Sequence, residues 1–452
     1  MSEACSGFVK WGDWALGYGV FGTEGLSLVD GYFKGQPVFN KLSLPVIRVK
    51  YVIDESLLGL TAVAGTGCGP YNDQITWDTE DFGENLNPIS GPHHLVKVQC
   101  PGGDRYLCTE EIDVGGVPHL RLGVYARIGA YHIAQTWTLG NDGSIRPRVS
   151  SKGLSCDVDH WHHPYWRFDF ALGMPEMQRV SVHQSTGAKI ADITMERRVV
   201  DADFGRDIQY RITSTHPPEV GFIERPAMAT IIPPMPNDVL GIVGPTPFAP
   251  LDGYVRKYRA SEDASWPHKP EDDISFGPHD PVNDEDIVFW QVCHLEHHAS
   301  EGKDHWHTVG PDIVVQPMIV AAVPPEALRS ATIDGKVDVK DFGVFKDEWA
   351  HDTLSEKVEI DPNTRHQVVV KKVQQGDVTA EAIVHLDWHP DLSLGVHLEG
   401  NLFDELERVA HFDVFHNVPR DQAAVLKIHL VDYHGGDPDT GDIEVTVGNW
   451  QR

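Results

Sequence analysis

The sequence predicts an all-β protein built as a sandwich of antiparallel sheets. Short stretches rich in Val, Ile, Thr and aromatic residues recur along the whole chain, turns with Gly, Pro or Asn separate them, and helical periodicity is rare. Many short strands joined by such turns are typical of β-sandwiches. The 452 residues suffice for two or three domains, each with its own core.

The same stretches predict the positions of the strands in the first part of the chain. A hairpin is predicted at Asn141-Asp142-Gly143, between a strand that ends at Leu139 and one that begins at Ser144. The segment 245–281 is rich in Pro, Asp, Gly and Ser and is interpreted as a long loop over this domain. The strands are expected at 46–51, 95–98, 120–126, 133–139, 179–182, 208–212, 287–292 and 313–319.

A break near residue 325 predicts a domain boundary. We expect a β-sandwich domain over residues 1–325, a linker over 326–343 and a small C-terminal β-domain of unknown role over 344–452. The histidine-rich motifs are all expected before the break. The C-terminal strands are expected at 368–373, 380–386, 394–398, 409–414, 424–430 and 443–447, and the stretches 324–330 and 404–410 are the only helix candidates.

Composition restricts the expected binding partners and the expected cellular compartment. A formal net charge of −30 disfavours nucleic acid and anionic lipid surfaces. No apolar run approaches the length of a membrane span, and the first residues lack a secretory signal, so we expect a cytoplasmic protein. The six cysteines show no C-x-x-C spacing, so we expect free thiols and neither a zinc knuckle nor a redox pair.

The most informative motif is the segment 159–170, which reads DHWHHPYWRFDF. In an extended strand, residues two apart point to the same face, so His160 and His162 would present two imidazoles side by side. Two such nitrogens are a natural part of a copper or zinc site. In a chain with 25 histidines, a histidine-rich strand without a metal is the alternative.

Four motifs follow one another in order between about residues 20 and 320. They are EGLSL at 24–28 with PVFNKLSLP at 37–45 and VKY at 49–51; Tyr131 six residues before Trp137 and the turn at 141–145; His160-x-His162 before Arg167-Phe168-Asp169; and the segment 286–290 before His297. Together they resemble the catalytic domain of copper amine oxidases, with its β-sandwich fold. Residues from about 340 onward match no family that we recognise.

The resemblance implies a copper site and a quinone. His160, His162 and His297 would be the copper ligands, and three neutral imidazoles suit Cu(II). Tyr131 would be the precursor of topaquinone, and Tyr51 falls where the family has a tyrosine hydrogen-bonded to that quinone. The implied reaction uses a primary amine and O2, and the implied assembly is a homodimer, which is also the commonest kind of oligomer.

The third ligand has competitors in the sequence. His297 lies in the run HLEHH at 294–298, so His294 or His298 would replace it if the register slips. A second H-x-H motif, His305 and His307, could also supply a ligand or cap a loop. These alternatives stay open at the level of sequence.

The sequence departs from the family pattern in three places, and the first two concern catalysis. Ala130 and His132 replace the asparagine and the acidic residue that flank the family's tyrosine. The family's F-D-x-G-E-x-G segment, which carries the catalytic base, is missing. Asp54 is our candidate for the base, Glu55 could serve instead, and an ordinary surface turn is the alternative for both.

The third departure concerns a structural cation. Asp169 and Asp286 remain from the family's cation site, but Ala171 replaces the next carboxylate. Calcium usually takes six to eight oxygen ligands, so we expect this calcium site to be degenerate.

These features support hypotheses of different kinds. The first is a divergent copper-dependent primary amine oxidase that uses Tyr131 as a quinone. The second is a copper-dependent enzyme on the same scaffold that lacks topaquinone and acts on another small molecule. The third is a non-catalytic copper-binding protein. The retained tyrosine and histidines favour the first, whereas the missing base motif favours the others.

Overall fold

The structure is a computed structural model, and the chain is described in segments. The described residues are 5–20, 24–51, 71–73, 75, 95–100, 103–155, 159–173, 177–199, 204, 207–214, 223–234, 252–260, 279–320, 327–342, 347–389, 392–404, 407–432 and 439–451. Within them the chain is almost entirely β-strand, and a 3-10 turn at Ala299–Glu301 is the longest helical piece. The prediction of an all-β sandwich is confirmed. No described helix could cross a membrane.

The strands run in chain order from β1 to β31. The first fifteen are β1 Cys5–Trp11, β2 Trp14–Val20, β3 Leu26–Phe33, β4 Gln36–Tyr51, β5 Tyr71–Asp73, β6 Leu95–Cys100, β7 Gly103–Val114, β8 Val117–Ile128, β9 Tyr131–Gly140, β10 Ser144–Lys152, β11 His160–Asp169, β12 Gln178–Gln184, β13 Lys189–Ile193, β14 Arg197–Val199 and β15 Ile208–Ser214. The remainder are β16 Ile223–Arg225, β17 Met228–Ile232, β18 Gly253–Lys257, β19 Ile287–Val292, β20 Leu295–His297, β21 His307–Val309, β22 Asp312–Gln316, β23 Ile319–Val320, β24 Arg329–Phe342, β25 Asp347–Ile360, β26 His366–Gln375, β27 Val378–Trp388, β28 Leu394–Asp404, β29 Glu407–Val418, β30 Gln422–Asp432 and β31 Asp439–Gln451.

Two large sheets face each other in the first part of the chain. The first has the order β1-β2-β3-β4-β11-β19-β18-β14, with β5 on β4 and β20 on β11. The second has the order β13-β12-β15-β17-β22-β10-β9-β8-β7-β6-β29-β28-β27-β26, with β21 on β10. Apolar side chains from both sheets, such as Leu28, Trp166, Trp137 and Ile145, form one buried core between them. Burying this apolar surface is the main force that holds the sheets together.

A second, smaller sandwich forms at the end of the chain. The sheet β25-β24-β31-β30 packs against β26–β29, and the core between them includes Ile333, Val337, Ala382 and Val445. The four strands β26–β29 belong to the second large sheet, which β29 joins by one parallel pairing of Glu407 with Gln99. The long sheet therefore runs through both sandwiches.

Three local expectations are corrected by the strands. The described residues of the stretch 404–410 are not helical, because β28 ends at Asp404 and β29 begins at Glu407. In the stretch 324–330, only 327–330 are described, and β24 already begins at Arg329. The expected long loop 245–281 contains β18, which pairs with β19 inside the first sheet. The hairpin at residues 141–143 is confirmed, since Ile145 pairs with Leu139.

The segment expected as a linker, 326–343, holds strand β24. Its residues Ala331, Ile333, Val337 and Val339 are buried and alternate with exposed or half-exposed residues, many of them charged. This period of two is the signature of a strand with one buried face. β24 pairs with β25 on one side and β31 on the other, so the C-terminal sandwich begins near Arg329.

Candidate metal centre

Strand β11 carries the first two candidate ligands from the centre of the first sheet. His160 and His162 are buried, and their ring centroids lie 5.1 Å apart, as expected for side chains on one face of a strand. Strand β20 brings the third: His297 pairs directly with His160, and the two ring centroids are 4.7 Å apart. Three imidazoles from two neighbouring strands therefore form one buried cluster.

The competing histidines of the 294–298 run have other partners. Nδ1 of His294 lies 2.7 Å from Nδ1 of His163, and Nε2 of His294 lies 3.3 Å from a carboxylate oxygen of Asp252. His298 is half-exposed and lies 3.4 Å from a carboxylate oxygen of Asp159. The structure thus places His297, and neither of its two competitors, beside His160.

The second H-x-H motif adds a fourth ring. His307, on β21, has its ring centroid 4.5 Å from that of His297, and His305 lies 4.7 Å beyond it. Nε2 of His307 is 3.3 Å from a carboxylate oxygen of Glu301. Ligand atoms of His297, Glu301 and His307 all lie within 4.8 Å of one another, a spacing that could hold a metal ion.

Tyr131 reaches the cluster from the opposite sheet. It is the first residue of β9 and is only 4% exposed. Its phenol oxygen lies 3.3 Å from Nε2 of His160, and its ring centroid lies 4.9 Å from that of His162. The backbone N–H of Ser155 donates to the same oxygen at 3.3 Å. The phenol is therefore fixed against the histidines.

Contacts farther along β9 explain how Tyr131 is held. Trp137 lies six residues on, so its side chain shares the face of Tyr131, and its indole N–H donates to the carbonyl of Leu26 at 2.8 Å. The side-chain amide of Gln135 both accepts from and donates to the backbone of Leu26. The 24–28 segment thus ties β9 to the first sheet next to the cluster.

The two departures beside Tyr131 lie away from the imidazoles. Gly129 and Ala130 form the exposed turn between β8 and β9. His132 follows Tyr131 in the strand, so its side chain points to the opposite face. The side chain of His132 is therefore directed away from the histidine cluster.

The remaining predicted catalytic residues are only partly described. Tyr51 is the last residue of β4, and its backbone pairs with His160. Asp54 and Glu55 lie outside the described residues. The base therefore stays a prediction.

Burial keeps two imidazoles of this region, those of His162 and His307, in the neutral form that metals bind. Burial lowers the pKa of His162 well below its usual value, and the neighbouring His160 and His297 lower it further. Burial likewise lowers the pKa of His307 to about 4, with His297 as the next cause. Neutral imidazoles need no deprotonation before they bind a metal.

The nitrogens of the cluster are also placed to serve a metal. Neither ring nitrogen of His162 has a hydrogen-bond partner among the described residues. Nε2 of His297 lies 3.1 Å from the carbonyl oxygen of Gly302, which orients the ring and leaves Nδ1 for a ligand. Buried nitrogens without partners are costly, and a bound ion would satisfy them. Imidazole nitrogens are ligands that suit copper. In this part of the structure, however, the ligand atoms that already lie within 4.8 Å of one another are those of His297, Glu301 and His307, whereas those of His160, His162 and His297 do not form such a set.

The remnant of the structural cation site is used differently. A guanidinium nitrogen of Arg167 lies 3.7 Å from a carboxylate oxygen of Asp169, and the amide of Asn40 donates to the other oxygen at 3.1 Å. Ala171 is buried and offers no carboxylate. Asp169 therefore has the internal cation Arg167 as a neighbour.

Comparisons with known proteins identify the fold only. No protein-family model and no curated protein matches the chain. Among solved structures, an amine oxidase from Aspergillus nidulans matches 68% of this chain and 51% of its own, at 15% identity and a TM-score of 0.50. A copper-containing benzylamine oxidase from Hansenula polymorpha matches 68% and 59%, at 15% identity and a TM-score of 0.49. The chain thus spans between 51% and 59% of these structures. It shares the β-sandwich fold of the amine oxidase from Aspergillus nidulans.

Sequence reasoning missed Glu301 as a neighbour of the cluster and left His307 as an open alternative. A local signal existed, since Glu301 and His307 flank a short turn-rich segment with a second H-x-H. Nothing in that segment indicated that β21 would pair with β10 and so face β20.

Proposed function

We propose that this protein is a divergent copper-dependent primary amine oxidase that uses a quinone made from Tyr131. The observation that carries the proposal is the position of the Tyr131 phenol oxygen, 3.3 Å from Nε2 of His160 inside a buried histidine cluster. In this role His160, His162 and His297 hold the copper. The fold shared with an amine oxidase supports the proposal without deciding it.

The cofactor and the residues of the chain have different roles in the proposed reaction. A bound copper ion with a tyrosine-derived quinone would transfer two electrons from the amine to O2, so that a primary amine, O2 and water give an aldehyde, ammonia and hydrogen peroxide. His160 and the backbone N–H of Ser155 orient the oxygen of Tyr131. Burial excludes bulk water around the ring, and Asp54 is proposed as the base that takes the proton from the substrate carbon.

A second candidate rests on Glu301 and His307. With His297 they form a mixed nitrogen and oxygen set whose ligand atoms lie within 4.8 Å of one another. Such a set suits a metal ion that acts as a Lewis acid, without a quinone. The second candidate is therefore a metal-dependent enzyme on the same scaffold in which Tyr131 stays a tyrosine.

One experiment separates the two candidates. Metal-free protein is loaded with copper in air, treated with phenylhydrazine and digested for mass spectrometry. The amine oxidase proposal expects a coloured adduct on Tyr131, which Tyr131→Phe removes while copper stays bound. His429→Ala, an exposed histidine far along the chain, serves as the control and should form the adduct. An unmodified Tyr131 in copper-loaded protein would overturn the quinone and favour the second candidate.

A further inference from the structure

The C-terminal strands carry a second histidine-rich surface that the metal centre does not use. Along β27, the even positions Ala380 to Leu386 point into the small sandwich core. The odd positions Glu381, His385 and Asp387 point the other way. On β28 the same alternation turns His397, Glu399 and Asn401 to that face. The expectation that all histidine-rich motifs precede residue 325 is therefore wrong.

This polar face does not look onto open solvent. Strands β1, β2 and β3 of the first sheet cover it with Phe8, Tyr18 and Tyr32 and leave a cleft of about 690 Å³ between the two walls. The ring of Tyr32 stacks on that of His366, with centroids 3.5 Å apart, at one end of the cleft. A volume of this size accommodates a small organic molecule.

The cleft has a negative wall. Asp30, Glu381, Asp387 and Glu399 contribute carboxyl groups, and none of the described residues that line it is Lys or Arg. One oxygen of Asp387 already lies 2.6 Å from Nδ1 of His366. Burial would raise the pKa of Glu399, but hydrogen bonds from His385 and Asn401 outweigh it and hold the pKa at about 2. Glu399 is therefore charged at neutral pH. Lys372, which pairs with Glu381 at 2.6 Å, approaches from outside the lining.

A column of stacked rings runs along the same wall. His385, His397 and Phe415 occupy matched positions on three neighbouring strands. The rings of His385 and His397 stack with centroids 5.1 Å apart, and the rings of His397 and Phe415 stack with centroids 4.0 Å apart. Phe415 is 69% exposed, so this stack reaches the cleft margin with an uncovered aromatic face. Such a face favours a planar ring or a cation.

The residues that line the cleft favour one class of ligand over the others. An anion would meet carboxylates, and no lysine or arginine is among the described lining residues to offset them. A single metal ion needs converging ligand atoms, and in the described part of the chain the groups that converge within 4.8 Å lie elsewhere, at His297 and at Asp404. An ammonium group on a flat apolar body matches both the carboxylates and the stacked rings.

We propose that the cleft between β1–β3 and β27–β29 binds a primary arylalkylammonium ion, at a site separate from the metal centre. Glu399 and Glu381 face the ammonium group, and the His385–His397–Phe415 stack holds the ring. The site goes beyond the proposed oxidase activity and does not depend on it, since no residue of the histidine cluster lines the cleft.

The test is calorimetric titration of the metal-free protein with 2-phenylethylamine. The amine should bind, whereas the neutral 2-phenylethanol and the anionic 3-phenylpropionate should bind at least about tenfold more weakly, because each lacks the charge-assisted contact. Glu399→Gln and Glu381→Gln should each weaken binding about tenfold. Glu444→Gln, a carboxylate on the outer surface of β31, is the matched control and should bind like the unaltered protein.

Two further arms keep this proposal distinct from the oxidase proposal. His162→Ala, which disrupts the metal centre, should leave amine binding unchanged. A photoreactive azide analogue of the amine should label peptides of β28 and β29, which gives an answer even if a carboxylate variant fails to fold. Equal binding of amine and alcohol, no binding, or binding lost in His162→Ala but kept in Glu399→Gln would overturn the cleft site. None of these outcomes bears on whether Tyr131 becomes a quinone.

Discussion

His160 and His297 occupy directly opposed positions on neighbouring strands, with their ring centroids 4.7 Å apart. The backbone hydrogen bonds of the sheet therefore fix this pair, and the ligands do not depend on a loop for their spacing. Sites built on strands hold their geometry more precisely than sites on loops.

Replacing one member of the cluster should cost the metal. His162 has no hydrogen-bond partner for either ring nitrogen among the described residues, so His162→Ala removes a ligand without breaking an internal hydrogen bond. We expect about one copper per chain in the unaltered protein and most of it lost in the variant, by elemental analysis after dialysis. His429→Ala should keep its copper. Full copper retention in His162→Ala would contradict the assignment of this ligand.

The base is tested by separating quinone formation from turnover. Formation of the quinone needs copper, O2 and the phenol within reach, whereas turnover also needs a base within ~2.6–3.2 Å of the substrate proton or one water away. Asp54→Asn should therefore abolish peroxide release with amine and leave the phenylhydrazine adduct intact. Glu55→Gln is the neighbouring control. If Asp54→Asn turns over normally while Glu55→Gln does not, the base is Glu55.

The resemblance also predicts a homodimer. Symmetric dimers are the commonest oligomers of soluble proteins, and stable ones bury more than about 1,200 Å² in total. Light scattering at micromolar concentration should give twice the mass of the 50.2 kDa chain. A monomer over that range would contradict the prediction and would point to the C-terminal sandwich as a cover for the pairing surface.

Calcium should matter little for stability. Asp169 contacts the guanidinium of Arg167 and the amide of Asn40, and Ala171 supplies no oxygen from its side chain. A calcium-selective chelator should therefore shift the melting temperature by less than about 2 °C, the change that fractions of a kcal/mol produce in a chain of this size. A large drop with copper still bound would mean that the calcium site is intact.

An acid-sensitive contact lies on the far side of the first sandwich. Burial would raise the pKa of Glu196, but hydrogen bonds from Arg259 and from the backbone N–H groups of Lys257 and Asp280 lower it below 4.5. The folded state then binds fewer protons than the unfolded state, so this contribution to stability is present above about pH 4.5 and is lost as the pH falls through the folded pKa. Glu196→Gln should cost about 1–3 kcal/mol at pH 7.

Urea unfolding at a series of pH values checks this prediction. The difference between the two proteins should stay constant from pH 7 to about 5 and shrink below 4.5, as the unaltered protein loses the same charge. Glu444→Gln, whose carboxylate is 41% exposed, should show only a small difference throughout. A difference that persists unchanged in acid would indicate a packing defect.

Periodicity predicted those parts of the fold in which one face of a strand is buried. The six C-terminal strands were expected from their alternating Val, Leu and Ile residues, and each lies within one of β26–β31. His160 and His162 share a face for the same reason. Strand β24 was missed although Ala331, Ile333 and Val337 alternate with polar residues, because the segment from Pro324-Pro325 to Gly343 was interpreted as a break between domains.

Long-range pairing could not be predicted from the sequence. The three residues of β20 carry too short a pattern to indicate a strand, and only their pairing with β11 selects His297 over His294. The same holds for His307, whose position depends on β21 and β10. Local propensity determines which residues form strands, whereas the burial of two sheet faces determines which strands pair.

Strand β4 separates the histidine cluster from the cleft. Its last residue, Tyr51, pairs with His160, whereas at its other end the amide of Gln36 donates to the carbonyls of Pro362 and Asn363 near the cleft. Sixteen residues at about 3.3 Å each make this strand roughly 50 Å long. The histidine cluster and the cleft are therefore tens of ångströms apart along this strand, too far for one small molecule to contact both at once.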